Sequence, residues 1–366
     1  MTAYLVLGAL AWAVATRGGT SLRDLLIVLG LLVAAMIVSR AWPRRNPLLW
    51  VTFAALLFWV LAAGPLSAGW NLITVRVPLL IVIATVTVLV VGRLSVRDQQ
   101  TLVRGVIAVG CLQAAIALVE LAVTAAAEPA VIPRTVAMLG SPNSLGMLLV
   151  ATGVLTAREL ARTGGRLLAA ALLLQGAALL STGSRTAILV ASALVVLYVL
   201  SSGGWRVRAA AGAGLTAGLL LVVWRTAAEP QDRLELWEEA VGRIASRPLL
   251  GEGPPVEPFS PAIAGSRTTA HAHNELLQWG VEYGMLGVGL LLMVLVLALR
   301  TTGPLSGGDR FVQCAAIALL AAGVTDFTLR VTAITIAAAA LATMGVAGGR
   351  PAEQPLANRL VRARAG

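Results

Sequence analysis

Charge is what this sequence has least of. Only 12% of its 366 residues are Asp, Glu, Lys or Arg, about half the share of an ordinary soluble domain. Lysine is missing altogether, so all 28 basic residues are arginine. Histidine occurs twice, as His271 and His273, and cysteine twice, as Cys111 and Cys314. Both cysteines fall inside apolar runs. They read as small buried hydrophobes and build neither a disulfide framework nor a thiolate metal site.

What is present is apolar sequence: 58% of the residues are hydrophobic, and the mean hydropathy is +0.86. The apolar residues come in runs divided by short arginine-rich or Gly/Pro-rich breaks. A helix needs about 20 apolar residues to cross a bilayer, and only helices or closed barrels can do so. The expectation is therefore an all-α, polytopic integral membrane bundle of about 12 transmembrane helices, forming a single membrane domain over 1–366. The expected spans are 3–16, 24–39, 48–64, 76–92, 105–125, 141–157, 167–183, 185–200, 207–224, 280–299, 310–326 and 331–347. The seventh and eighth, parted only by Gly183 and Ser184, read as a tight hairpin or one broken helix. The first run is short, lacks a basic start and is followed by no convincing cleavage site, so it reads as a membrane helix rather than a removed leader.

Arginine placement sets the orientation. Arg40, Arg44 and Arg45, then Arg93, Arg97 and Arg104, then Arg158, Arg162 and Arg166 fall on one side. Arg206, Arg208, Arg300, Arg310 and the tail "NRLVRARAG" fall on that same side, which makes it the cytoplasm and puts both termini there. Arg17 and Arg23 run against the bias. The net charge of +11 is thus spread as orientation signals and anionic lipid contacts, and nucleic acid is not an expected partner.

This topology leaves one long extracytoplasmic segment, 225–279, and loops of that length are usually functional. Its "DRLELWEEAVGRIASRP" predicts an amphipathic helix over 232–247, with Leu234, Trp237, Val241 and Ile244 on one face. Asp232 suits the cap, Glu235 completes a capping box, and Pro248 follows the end. Such a helix lies on the outer face with its apolar stripe against lipid or against the bundle.

The stretch "TTAHAHNELLQWGVEYGMLG" carries both histidines to the mouth of the next apolar run. A His-x-His pair binds a metal only with further ligands, for which Glu252 or Glu257 are the candidates. No metal and no cofactor is expected. Hydrogen-bonded structure and proton exchange near neutral pH are the other readings of the pair, and Asn274 suits a helix N-cap. In "LLSTGSRTAILVAS", Arg185 sits between two apolar runs, either as a helix-end arginine reaching for the interface or as an anion site. Its planar fork matches phosphate oxygens. Arg233 opens the amphipathic helix, where N–H groups favour anions too. Arg134 precedes "TVAMLGSPNSLG". Three arginines and a histidine on one face suit a polyanion at the outer leaflet, and both a lipid-linked pyrophosphate and a transported anion fit. For transport, Glu120, Arg104 and Arg76 are the ionisable groups in or beside the early spans.

The ordered set "SRTA", "DRLELWEEAVGRIASRPLLGEG" and "HAHNELLQWGVEYGMLGVG" resembles the O-antigen ligase/polymerase superfamily of bacterial membrane glycosyltransferases. "GSPNSLG", which holds Asn143, resembles the family's N-P-N segment, and "TDFTLR" resembles its last loop. The resemblance implies a helical bundle of the C class of glycosyltransferases. It implies a metal-independent enzyme moving a glycan from an undecaprenyl-diphosphate donor to a lipid or glycan acceptor on the outer face of the bacterial cytoplasmic membrane. It maps the family histidine onto His273 and the diphosphate-holding arginines onto Arg185 and Arg233. Arg134 is a further candidate, and Asn274, His271 and Asn143 support the site. A transporter or flippase for an anionic substrate is the alternative.

Overall fold

A computed structural model describes residues 1–41, 47–127, 133–202, 233–260, 269, 271–301, 310–323 and 328–347. Among these residues the fold is helical. The elements are α1 (Thr2–Ala15), α2 (Leu22–Ser39), α3 (Pro47–Ala63), the single turn α4 (Pro65–Ala68), α5 (Leu72–Val91), α6 (Val96–Ala127), α7 (Pro142–Thr163), α8 (Arg166–Thr182) and α9 (Arg185–Ser202). They continue as α10 (Arg233–Ser246), α11 (Glu275–Thr301), α12 (Arg310–Ala322) and α13 (Thr332–Ala347). Five of them, α2, α5, α6, α7 and the Glu275–Leu297 part of α11, are long and apolar enough to cross a membrane. Six shorter apolar helices accompany them. The expected span 207–224 lies outside the described residues, as do Asp232 and its expected cap.

Local chemistry starts and stops these helices. Asn71 caps α5 through a reciprocal capping box with Thr74. Ser141 caps α7, with Pro142 at its first position, where a missing N–H costs nothing. Gly183, at φ +58°, closes α8, so α8 and α9 are two helices rather than one. The arginine-rich break expected before residue 105 is instead the first turns of α6. Ser95 starts them: its hydroxyl accepts from the Asp98 N–H and donates to the Asp98 carboxylate.

The main core is built from α1, α2, α5, α6, α7, α12 and α13, with Leu10, Leu25, Leu102, Leu148 and Leu341 fully buried. Small residues bring the backbones close, as is usual where lipid supplies no hydrophobic drive between helices. A Cβ at Gly110 of α6 would lie 2.3 Å from the Thr152 hydroxyl of α7. A second core joins α3, α5 and α11 through Leu56, Val60, Val77, Trp279 and Tyr283. Large apolar side chains such as Phe58, Val119 and Leu167 stay exposed, as a hydrocarbon-facing surface requires.

One interruption organises the functional end. Gly284 has φ +67° and ψ −178° and breaks α11. The carbonyls of Val281, Glu282 and Tyr283 are thereby freed from their usual i+4 donors. Each is recaptured: Glu252 N–H donates to Val281 O (2.7 Å), Gly253 N–H to Glu282 O (3.0 Å), and the Trp59 indole to Tyr283 O (2.9 Å). In exchange the Met285 N–H donates to Pro248 O (2.8 Å). The "PLLGEG" turn is thus stitched into the helix, and these three carbonyls and the Met285 N–H are satisfied, as buried backbone demands.

Candidate active site

The loops that carry the candidate residues meet at one end of the bundle. The Arg17–Gly19 turn lies between Leu139 and Val331, and the Thr332 hydroxyl donates to Gly19 O (2.7 Å). The Arg76 guanidinium donates to the Arg330 carbonyl (2.9 Å), and Pro254 packs on Gly64.

Arg134 and Asn143 form one corner. The Arg134 side chain donates to Asn143 Oδ1 (3.3 Å) and to Thr182 O (3.2 Å). Thr182 closes α8, three residues before Arg185 opens α9. Thr135 N–H donates to Ser181 O, and the two hydroxyls pair at 2.8 Å. The segment is fixed from the other side by α6: the Glu120 carboxylate accepts the N–H groups of Val136 and Ala137 (3.1 and 2.8 Å), and Gln113 accepts that of Met138. Arg134 is exposed and Arg185 half-buried, so this corner offers guanidinium surface at a helix start.

The histidine segment forms the second group. Asn274 is the expected N-cap of α11, its Oδ1 accepting from Leu277 N–H (3.1 Å). His273 has φ +51°, a left-handed conformation that costs an L-residue about 1–2 kcal/mol. It is held from both sides, by Asn274 and by the fully buried Ala272, whose N–H donates to Gln278 Oε1 (2.8 Å).

Beneath the histidines lies an ion-pair group that the sequence reading did not find. Arg330 donates to Glu275 Oε2 (3.1 Å) and, through two nitrogens, to both oxygens of Glu282 (2.8 and 3.1 Å). Gln278 Nε2 donates to the same Glu282 Oε1 (2.7 Å). The Arg330 side chain is 11% exposed; burial opposes its charge, yet the carboxylates of Glu282 and Glu275 hold its pKa above the ordinary arginine value. The signal available in the sequence was Glu275 and Glu282 on an otherwise apolar helix, where an acid should have a partner. Nothing local pointed to Arg330 as that partner. An apolar hollow of about 260 Å³ lies beside the pair, lined by Leu56, Ile81, Trp279, Val294, Glu275 and Arg330 among others.

His271 sits against this group. Burial first, then the positive charge of Arg330, lowers its pKa from 6.5 to about 4, while Glu282 opposes the shift and His273 and Arg76 add to it. His271 is therefore neutral in the fold at pH 7. The unfolded chain binds a proton below about pH 6.5, which the fold refuses until about pH 4. Stability is present above pH 6.5 and declines as pH falls through that window, by up to about 3 kcal/mol. Thermal unfolding in detergent should show a steeper acid loss for wild type than for His271→Gln. Equal pH slopes would show that His271 carries no such linkage.

Arg233 stands half-buried on the first turn of α10. The helix runs from Arg233 to Ser246, and the face it packs shares Trp237 and Ile244 with the apolar stripe read from the sequence. Leu236 and Ala240 pack with Phe259, Ala272 and Val281, and Trp237 and Ile244 join them. Leu234 and Val241 stay 66% and 55% exposed. Arg243, on the packed side, clamps Glu252 of the turn through two bonds (3.0 and 2.5 Å), donates to Glu257 O, and lies 4.6 Å over the Phe259 ring. These contacts hold α10, the turn and the histidine segment as one unit. They also commit Glu252, one of the two candidate further metal ligands, to an arginine.

The structure thus brings Arg134 and Asn143 together beside the α8–α9 junction that Arg185 opens. It joins His271, His273 and Asn274 over Arg330, and it ties Arg233 to the histidine segment through the α10 core. Residues 169–294 match the family model described as O-Antigen ligase. The match, about a third of the chain, includes Arg185, Arg233, His271, His273 and Asn274 and leaves out Arg134, Asn143 and Arg330. No curated protein matches the chain. With the ordered motifs, the helical fold and this match in agreement, residues 169–294 carry the domain of the O-antigen ligase/polymerase superfamily.

Proposed function

We propose that the protein is a membrane glycan transferase whose donor is a glycan on undecaprenyl diphosphate and whose acceptor is a hydroxyl of a second lipid or glycan. The reading places the reaction on the outer face of the bacterial cytoplasmic membrane, with both termini cytoplasmic and about twelve crossings. It needs no metal or other cofactor. The observation that carries it is the meeting, at one end of an apolar helical bundle, of the loops bearing Arg134, Arg185 and the histidine segment.

In this reading Arg185 and Arg233, with Arg134, bind the donor diphosphate, and Asn143 orients Arg134. The acceptor oxygen bonds to the anomeric carbon as that carbon's bond to the diphosphate oxygen breaks. The acceptor proton passes to His273, and the electron pair leaves with the lipid diphosphate. Fixed guanidinium groups favour the charge that builds on that leaving group, which is where preorganised cations accelerate a reaction most. The apolar hollow beside Glu275 and Arg330 suits a hydrocarbon-linked substrate.

Transport needs a polar path, and the groups available for one serve elsewhere. Glu120 accepts the backbone N–H groups of Val136 and Ala137, Arg76 donates to Arg330 O, and Arg104 is exposed on α6.

The test is the glycolipid that accumulates in a deletion strain, with transfer reconstituted from purified protein. Full-length glycan stranded on the lipid diphosphate marks a ligase, and short units on the final carrier mark a polymerase. An unchanged glycolipid profile together with an inert reconstitution refutes the reading. Within it, Arg185→Lys should weaken undecaprenyl-diphosphate binding about tenfold or more, because an ammonium cannot supply the bidentate fork. Near-normal affinity in nanodisc titrations would remove Arg185 from the clamp.

A further inference from the structure

We infer that Gln278 is a positioning residue for the histidine segment, its amide turned and held by the Arg330–Glu282 ion pair. The inference rests on the transferase reading for its kinetic consequence and on geometry alone for its structural one.

The argument is one of donors and acceptors. Arg330 only donates and an ionised carboxylate only accepts, so the two-pronged bond fixes Glu282 as the acceptor it presents to Gln278. Gln278 must then turn its NH₂ toward Glu282 Oε1 (2.7 Å). That leaves its oxygen facing the Ala272 N–H at 2.8 Å. An amide flipped the other way would set donor against donor at Ala272 and acceptor against acceptor at Glu282. Gln278 is 1% exposed and Glu282 4%, so a buried mismatch cannot be relieved by bulk water.

The relay ends on the peptide between the two histidines. Ala272 is the residue before His273, whose left-handed φ of +51° must be imposed from outside. Asn274 fixes the C-terminal side of that strained residue, and Gln278 fixes the N-terminal side. Arg330 enters from the turn before α13, 48 residues beyond Glu282. It thereby makes the pose of the histidine segment depend on the last loop, although neither Arg330 nor Gln278 needs to touch substrate.

Gln278→Leu keeps the volume and removes the acceptor. Transfer by full-length protein in nanodiscs should lose about 10²-fold in kcat, the scale expected when a reacting group is misplaced by about 1 Å. Affinity for undecaprenyl diphosphate should stay within about threefold of wild type. Amide exchange at Ala272 should accelerate in the same variant. Arg330→Lys keeps the buried charge but not the two-pronged bond, and it should give the same split at about tenfold. It carries the test should Gln278→Leu fail to fold. A wild-type kcat in Gln278→Leu, or equal losses of kcat and donor affinity in the two variants, would overturn the inference. If the wild-type protein transfers nothing, the transferase reading fails, and exchange at Ala272 alone decides whether the relay exists.

Discussion

Replacing His273 by alanine is expected to lower transfer by about 10²–10⁴-fold, the range over which a positioned general base accelerates proton transfer. Donor binding should be spared, because the arginines assigned to the diphosphate lie on other elements. The fold should be spared too. The backbone around His273 is held by Gln278 and Asn274 through Ala272 and Leu277, and none of these bonds uses the imidazole. The measurement is kcat and donor affinity in nanodiscs. A kcat within about threefold of wild type would remove His273 from the chemistry. His271→Ala is the informative companion. His271 is neutral in the fold at pH 7, so its loss removes packing and a neighbour rather than a charge. The expected loss of transfer is smaller.

Gly284→Ala is expected to cost on the order of 3–4 kcal/mol, a magnitude reserved for changes that strike a defined mechanism. Two mechanisms act together here. Alanine at φ +67° pays for a left-handed conformation. Its Cβ would also stand 2.1 Å from Leu249 O and 2.7 Å from Leu250 N. The turn cannot retreat without surrendering the bonds from Glu252 and Gly253 to the freed carbonyls of α11. Relief therefore means releasing the turn and, through the Arg243–Glu252 clamp, α10 with it. Thermal unfolding in detergent should show the loss, and trypsin should cut more readily after Arg243, which the clamp otherwise holds. Gly242→Ala is the control. That glycine is helical and has open space about its Cβ position, so the change should be neutral or stabilising by up to about 1 kcal/mol. Equal stabilities for the two variants would show that the interruption at Gly284 is not held by the turn.

Several helix ends among the described residues were legible in the sequence because a residue with a physical reason to stand there marks them. Gly183 lies in the left-handed region, Ser141 and Asn71 cap, and Pro248 stands beyond α10. What surrounds a helix is not encoded in its own period. The 3–4–3 spacing of Leu234, Trp237, Val241 and Ile244 describes a real apolar stripe, but α10 is apolar on more than one side. Phe259, Ala272 and Val281 arrive from later in the chain and cover Leu236 and Ala240 along with Trp237 and Ile244, leaving Leu234 and Val241 exposed. The same limit applies to the site. His273, Asn274, Arg185 and Asn143 stand in short ordered motifs and could be named from them. Arg330 closes the "TDFTLR" motif, but its ion pairs could not be read from it, since its partners lie 48 and 55 residues away and no local spacing relates them.

The break at Gly284 also divides α11 by its cost of entering a membrane. Before it lie Glu275, Gln278 and Glu282, on a piece about 13 Å long. After it, from Met285 to Leu299, no ionisable residue occurs. A carboxylate carried to the middle of a bilayer costs about 2.5–3.5 kcal/mol, and an unbroken helix would risk dragging Glu282 toward that depth. Divided as it is, the helix keeps both carboxylates on the short piece that Arg330 reaches. The boundary between the apolar stretch and the ion-paired one is a single glycine.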